Sequence, residues 1–161
     1  MTITVRHAGV GDEQALVDIL LAFHRENFLS KHFPYALKKI IEAVRHGTER
    51  KGSIIGVIDA PDRNNHIAGT IALYLDQWWW SECYLLLPRW TYVRPEYRKL
   101  GCANKLQEFA ENIRKHFQES AQYPLVLEQN FLEEVLGRTR LLDRFFQRYG
   151  RLIGGVYISG L

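Results

Sequence analysis

A chain of 161 residues has the length of one domain, expected to run over residues 1–161, and can bury a single sizeable core. Apolar residues make up 47% and charged residues 24%, as in ordinary globular proteins, and no apolar run is long enough to cross a bilayer. The formal charge of +3 is too mild to demand nucleic acid as a partner, although it suits an anionic cofactor.

The first residues, Met1 to His7, lack the long apolar stretch of a signal peptide. Ile3 and Val5 alternate with polar neighbours, as a first strand requires. Asp12 is placed to cap a helix whose Leu16, Ile19, Leu20 and Phe23 share a face. A break follows from Glu26 to Phe33. Pro34 is placed to open a second helix, with Leu37, Ile40, Ile41 and Val44 as its apolar stripe and Gly47 marking its end.

Residues 53–59 read as a strand, followed by a turn over Ala60-Pro61-Asp62-Arg63-Asn64-Asn65, which is rich in turn formers. A strand from His66 to Trp78 puts Ile67, Gly69, Ile71, Leu73 and Leu75 on one side. The next, from Cys83 to Val93, contains Pro88, which cannot donate to a ladder and predicts a bulge or an edge. From Gly101 a helix shows Cys102, Leu106, Phe109, Ala110, Ile113 and Phe117 on one face. Residues 125–128 read as a short buried strand, 138–149 as a helix with Leu142, Phe145, Phe146 and Tyr149 inward, and 152–158 as a closing strand or hairpin. Strands and helices in this order describe an α/β chain on a mixed sheet. There is no repeat, low-complexity tract or linker.

Cys83 and Cys102 are the only cysteines. With no Cys-x-x-Cys pair, they read as reduced, packed thiols of a cytoplasmic protein. The six histidines are scattered without metal-ligand spacing, so no metal is expected. No glycine-rich dinucleotide fingerprint or phosphate loop with Gly-Lys-Ser/Thr occurs.

The informative stretch is Val93-Arg94-Pro95-Glu96-Tyr97-Arg98-Lys99-Leu100-Gly101-Cys102-Ala103, where a strand gives way to a helix. Gly101 lets the backbone pass close to a bulky anion, and Ala103 keeps the next turn small. The first helical N–H groups lack carbonyl partners and face outward at the positive end of the helix dipole. Arg98 adds a full charge at the mouth. Such a turn can grip a pyrophosphate.

This stretch resembles the central motif of the GNAT superfamily of acyl-CoA-dependent N-acyltransferases: Gln or Arg, two variable residues, Gly, one more, then Gly or Ala. A Val-x-Pro-x-x-Arg lead-in precedes it, as in the family. The element order is also the family's, so the resemblance implies a GNAT-like mixed central sheet of six to seven strands flanked by about four helices. It implies acetyl-CoA as the cofactor, held by Arg98, Lys99, Leu100, Gly101, Cys102 and Ala103. The backbone of Tyr92, Val93 and Arg94 would pair with the pantetheine arm as an extra strand. A backbone N–H would polarise the thioester carbonyl.

The resemblance further implies acetyl transfer to a primary amine, directly and without a covalent enzyme intermediate. The acceptor would be a small-molecule or protein amine. Here the chain departs from the family. The Tyr that often protonates the departing thiolate falls at Phe146, four residues before Gly150, and Arg151 stands where an aromatic residue is usual. Tyr149 is near but about 300° further round the helix, at 100° per residue. An ammonium with a pKa near ~10.4 must lose a proton before attack, yet residues 85–93 hold no carboxylate. Glu82 and Glu128 are the candidate bases, with solvated structural carboxylates as the plainer alternative. These departures keep open a non-catalytic coenzyme A-binding or scaffold module.

In the family the acceptor site is framed by the segment between the first two helices, here Arg25 to Tyr35, which carries one acid, Glu26. A polycationic acceptor usually meets several carboxylates, so a neutral or partly anionic acceptor, or a protein amine, is expected unless Asp76, Glu82 and Glu128 converge there. Trp78-Trp79-Trp80 is read either as hairpin packing or as an acceptor wall or a subunit contact of a homodimer. Arg140, Arg144 and Arg148 form a basic stripe, read as a solvated helix face or a contact with a phosphate or acidic partner.

Overall fold

In the computed structural model, residues 3–27, 30, 33–62, 66–123 and 125–127 are described. All lie within one compact unit, Met1–Glu128. Two strand pairs build the sheet outward from its middle. β2 (Ser53–Asp59) and β3 (Ile67–Gln77) form one antiparallel hairpin, and β3 pairs antiparallel with β4 (Tyr84–Val93) from Gly69 to Gln77. A two-residue β1 (Arg6–His7) pairs antiparallel with β2, and β5 (Val126–Leu127) pairs parallel with β4 at Leu85 and Leu86. The order is β1-β2-β3-β4-β5, a mixed five-stranded sheet. Six to seven strands were expected. Five occur among the described residues, and the strand read at 152–158 lies outside them, as does the helix read at 138–149.

Helices cover both faces. α1 (Glu13–Glu26) and α2 (Leu37–Thr48) bury Leu16, Ile19, Leu20 and Val44 against Ile55, Val57, Trp90 and Tyr92. α3 (Cys102–Gln118) buries Cys102, Leu106 and Ala110 against Ile71, Leu73, Leu86 and Val93 on the other face. The alternation of side chains along β4 thus sends Trp90 and Tyr92 to one layer and Val93 to the other. α3 sits close because Gly56 has no side chain: a Cβ there would lie 2.7 Å from Phe109 Cε1.

Four local expectations are corrected. Asp12 stands at the N-cap of α1 without capping it: its carboxylate accepts the Gly9 N–H at 2.8 Å and a pair of bonds from Arg6. Pro34 does not open α2, which begins at Leu37 behind Ala36. Residues 33–35 are instead tied to α1, since His24 Nε2 donates to the Phe33 carbonyl at 3.0 Å and its ring meets Tyr35 edge-on. Gly47 lies one residue inside the end of α2, where a Cβ would lie 2.2 Å from Ile55 Cδ1. Arg50, at φ 56°, makes the left-handed turn beyond the end, and Lys51 N–H reaches the His46 carbonyl at 2.7 Å. Finally, β3 stops at Gln77, so the tryptophans form the β3–β4 connection. Trp78 and Trp80 stack at 4.9 Å, and Trp79 is 95% exposed.

Pro88 does mark a bulge. Ala72 pairs with Trp90 but Leu73 with Pro88, leaving Arg89 unpaired opposite β3. Among the described residues β5 pairs with β4 only at Leu85 and Leu86, so Pro88 has a strand partner on the β3 side alone, and the edge alternative holds there as well.

Candidate cofactor site

The end of β4 is clamped to β3 before the chain turns. Arg94 N–H donates to the Ala68 carbonyl at 2.9 Å, and Arg94 Nε to the Ile67 carbonyl at 3.0 Å. Pro95 then starts a 3-10 helix over Pro95–Leu100, its fixed φ suiting a first helical position. The turn between strand and helix is therefore wound. Tyr97 pins it: the ring is buried, its N–H bonds the Arg94 carbonyl at 3.0 Å, and its hydroxyl donates to Asp62 Oδ1 at 2.5 Å.

Gly101 joins this turn to α3 at φ 80°, ψ 11°, a left-handed conformation that costs a side-chain-bearing residue about 1–2 kcal/mol. A Cβ there would meet nothing within 4 Å. Gly101 is also the N-cap of α3, and no side chain caps that end. The first-turn N–H groups of Cys102, Ala103 and Asn104 therefore lack a side-chain cap at the positive end of a 17-residue helix. Asn104 Oδ1 is buried without a hydrogen-bond partner.

Arg98 stands at the same mouth. Its Nε donates to the Val93 carbonyl at 3.0 Å, and Nη2 is paired with Glu26 Oε2. Its Cζ lies 5.8 Å from the Tyr92 ring centre. Tyr92 donates to Glu26 Oε1 at 2.7 Å, and burial, followed by the bond to Glu26, pushes its phenol well above the ordinary tyrosine range. Lys99 and Leu100 are exposed. Cys102 is buried, and desolvation raises its thiol, so it is a packed, protonated group. Beside the turn, a cavity of about 220 Å³ is lined by Ile58, Ala60, Tyr97, Leu100 and Cys102 among others.

The structure thus brings together Tyr92, Val93, Arg94, Arg98, Gly101, Cys102 and Ala103. Glu82 stays apart. It is exposed in the β3–β4 connection, at the opposite end of β4, roughly 30 Å of strand away at about 3.3 Å per residue. Glu128 and Tyr149 lie outside the described residues, as do Phe146, Gly150, Arg151 and the arginine stripe at 140, 144 and 148. Two residues were not singled out for this site from sequence. Asn104 directly follows the motif, and its position was the available signal. Glu26 was marked only as the acid of the α1–α2 segment, and nothing in the sequence links it to Arg98.

An open left-handed glycine, an uncapped helix end and an adjacent guanidinium together fit a diphosphate group, whereas the Asn104 amide oxygen, an acceptor, would not bond it. Solved structures repeat this fold. A possible acetyltransferase from Clostridium difficile 630 is 14% identical and aligns over 100% of this chain and 99% of its own, with a TM-score of 0.68. A predicted acetyltransferase from Clostridium acetobutylicum, solved with acetyl-CoA, is 15% identical over 99% of this chain and 96% of its own, at 0.65. AAC(6')-Iy in complex with the bisubstrate analogue CoA-S-monomethyl-acetylneamine is 10% identical over 100% and 99%, at 0.67. The chain has the fold of the GNAT superfamily. No protein-family model matches the sequence, and no curated protein matches it.

Proposed function

We propose that this protein is an acetyl-CoA-dependent N-acetyltransferase that moves the acetyl group directly to a primary amine. The observation that carries the reading is Gly101: its left-handed turn presents the uncapped N-terminus of α3 beside Arg98. The N–H groups of Cys102, Ala103 and Asn104 and the Arg98 guanidinium would hold the pyrophosphate of coenzyme A. The acetyltransferase names of the structural neighbours, and the acetyl-CoA and coenzyme A analogue in two of them, support the same cofactor.

When bound, acetyl-CoA supplies an activated thioester carbonyl. Transfer forms an amide C–N bond and breaks the C–S bond, with the amine's proton leaving to a base and the thiolate departing with coenzyme A. Direct transfer is supported by the thiol of this turn: Cys102 is buried and desolvation raises it, so it is a poor nucleophile for an acyl-enzyme. For the acceptor, the engagement of Glu26 by Arg98 and Tyr92 leaves the α1–α2 segment without a free acid among its described residues. That supports a neutral or partly anionic small molecule, or a protein amine, over a polycation.

The test is a thiol-release assay with acetyl-CoA over a panel of neutral, anionic and polycationic amines and lysine peptides. Turnover with the neutral, anionic or peptide amines is expected. A second reading, a non-catalytic coenzyme A-binding module, is favoured by one observation: β4 carries no acid or histidine. Cofactor binding with silence across the whole panel would select it.

A further inference from the structure

We infer that Glu26 is a positioning residue that sets Arg98 for its pyrophosphate. The inference rests on the coenzyme A reading of the cofactor site.

Three contacts fix the Arg98 guanidinium along one edge. Nε donates to the Val93 carbonyl at 3.0 Å, Nη2 is paired with Glu26 Oε2, and the group lies over the Tyr92 ring at 5.8 Å. The Nε–Nη2 edge is thereby turned inward to the protein. Nη1 has no partner among the described residues, and the side chain keeps 44% of its exposure. The outward face is then the Nη1–Nη2 end, the fork that can donate to two oxygens of a phosphate.

Glu26 is itself held from a second side. The Tyr92 hydroxyl donates to Oε1 at 2.7 Å, and Tyr92 is buried in β4. The carboxylate is therefore a fixed post between the last residue of α1 and the strand that leads into the motif. An arginine free in solvent samples many rotamers, and that freedom must be lost before it can bind in a single geometry. Here that ordering is done in advance by Val93, Tyr92 and Glu26. The carboxylate also opposes anion binding through its charge, so the positioning effect must be measured at constant charge.

Glu26→Gln and Glu26→Ala provide that pair. Both remove the negative charge, but only glutamine keeps an oxygen for Arg98. Calorimetry with coenzyme A is expected to show the alanine variant binding about tenfold more weakly than the glutamine variant, the scale of one hydrogen bond to a charged group. In an Arg98→Ala background the same two variants are expected to bind coenzyme A alike. A defect of packing alone would persist there, because it does not act through Arg98. Equal affinities with Arg98 present, or a gap that survives its removal, would overturn the inference while leaving the cofactor reading intact. Failure of the unaltered protein to bind coenzyme A would overturn both.

Discussion

Tyr92 donates its phenolic hydrogen to Glu26 Oε1 at 2.7 Å, a bond between residues 66 positions apart that ties β4 to the last residue of α1. Tyr92→Phe removes the hydroxyl and leaves a buried ring of the same shape. A loss of about 1 kcal/mol in urea unfolding at neutral pH is expected, because one hydrogen bond to a carboxylate disappears. The alkaline behaviour changes too. Burial, and then Glu26, raise the phenol above its unfolded value near ~10. The folded state therefore holds the proton that the unfolded chain releases, and stability is fully present below about pH 10 and lost as pH rises beyond it. The Phe variant is expected to show a flatter stability profile above pH 10, and an unchanged profile would refute the assignment.

Gly101 supports a second prediction. Its φ of 80° is unfavourable for a residue with a Cβ, yet the space around it is open. Gly101→Ala is therefore expected to cost about 1–2 kcal/mol through backbone conformation alone. Chemical denaturation measures this directly. A neutral substitution would mean that the turn does not need the left-handed conformation.

At Gly56 the constraint is packing. A Cβ would approach Phe109 Cε1 to 2.7 Å and Cδ1 to 2.8 Å, on the face where α3 seats against the sheet. Gly56→Ala is expected to destabilise by about 1–3 kcal/mol, the range of an overpacked core. Pairing it with Phe109→Leu should recover part of the loss, and thermal melts of the single and double variants decide the point.

Much of this fold was legible in the chain, and the reasons differ from element to element. Residues 53–59 are almost wholly apolar and bounded by turn formers, so β2 could be read with its observed bounds. The helix after Gly101 shows a clean apolar stripe, and Pro88 announced its bulge because a missing N–H cannot be hidden inside a ladder. What misled were residues whose roles depend on neighbours distant in sequence. Gly47 looked like a helix stop but answers to Ile55, and Asp12 looked like a cap but answers to Arg6. The turn from β4 into α3 was readable because its residues are contiguous. The Glu26–Arg98 pair was not, because the two residues meet only once α1 has packed on the sheet.

Asp12 gives an acid-side prediction. Arg6, first of all, and the Gly9 N–H hold its carboxyl below the usual carboxylate range, while burial opposes them. A depressed folded-state value means that the contribution is present above about pH 4 and lost as pH falls through the folded value. Asp12→Asn is expected to cost about 1 kcal/mol at pH 7. The gap between the two proteins should close as the pH is lowered below 4. A gap independent of pH would show that charge is not what Asp12 contributes.

The measurement closest to the central claim is calorimetric titration of the protein with acetyl-CoA, alongside Gly101→Glu. A carboxylate at position 101 would project into the open space before the uncapped helix end, both filling it and repelling a diphosphate. The account predicts one-to-one binding by the unaltered protein and none by the variant, with both retaining a cooperative melt. Undiminished binding by Gly101→Glu, or no binding by the unaltered protein, would contradict it.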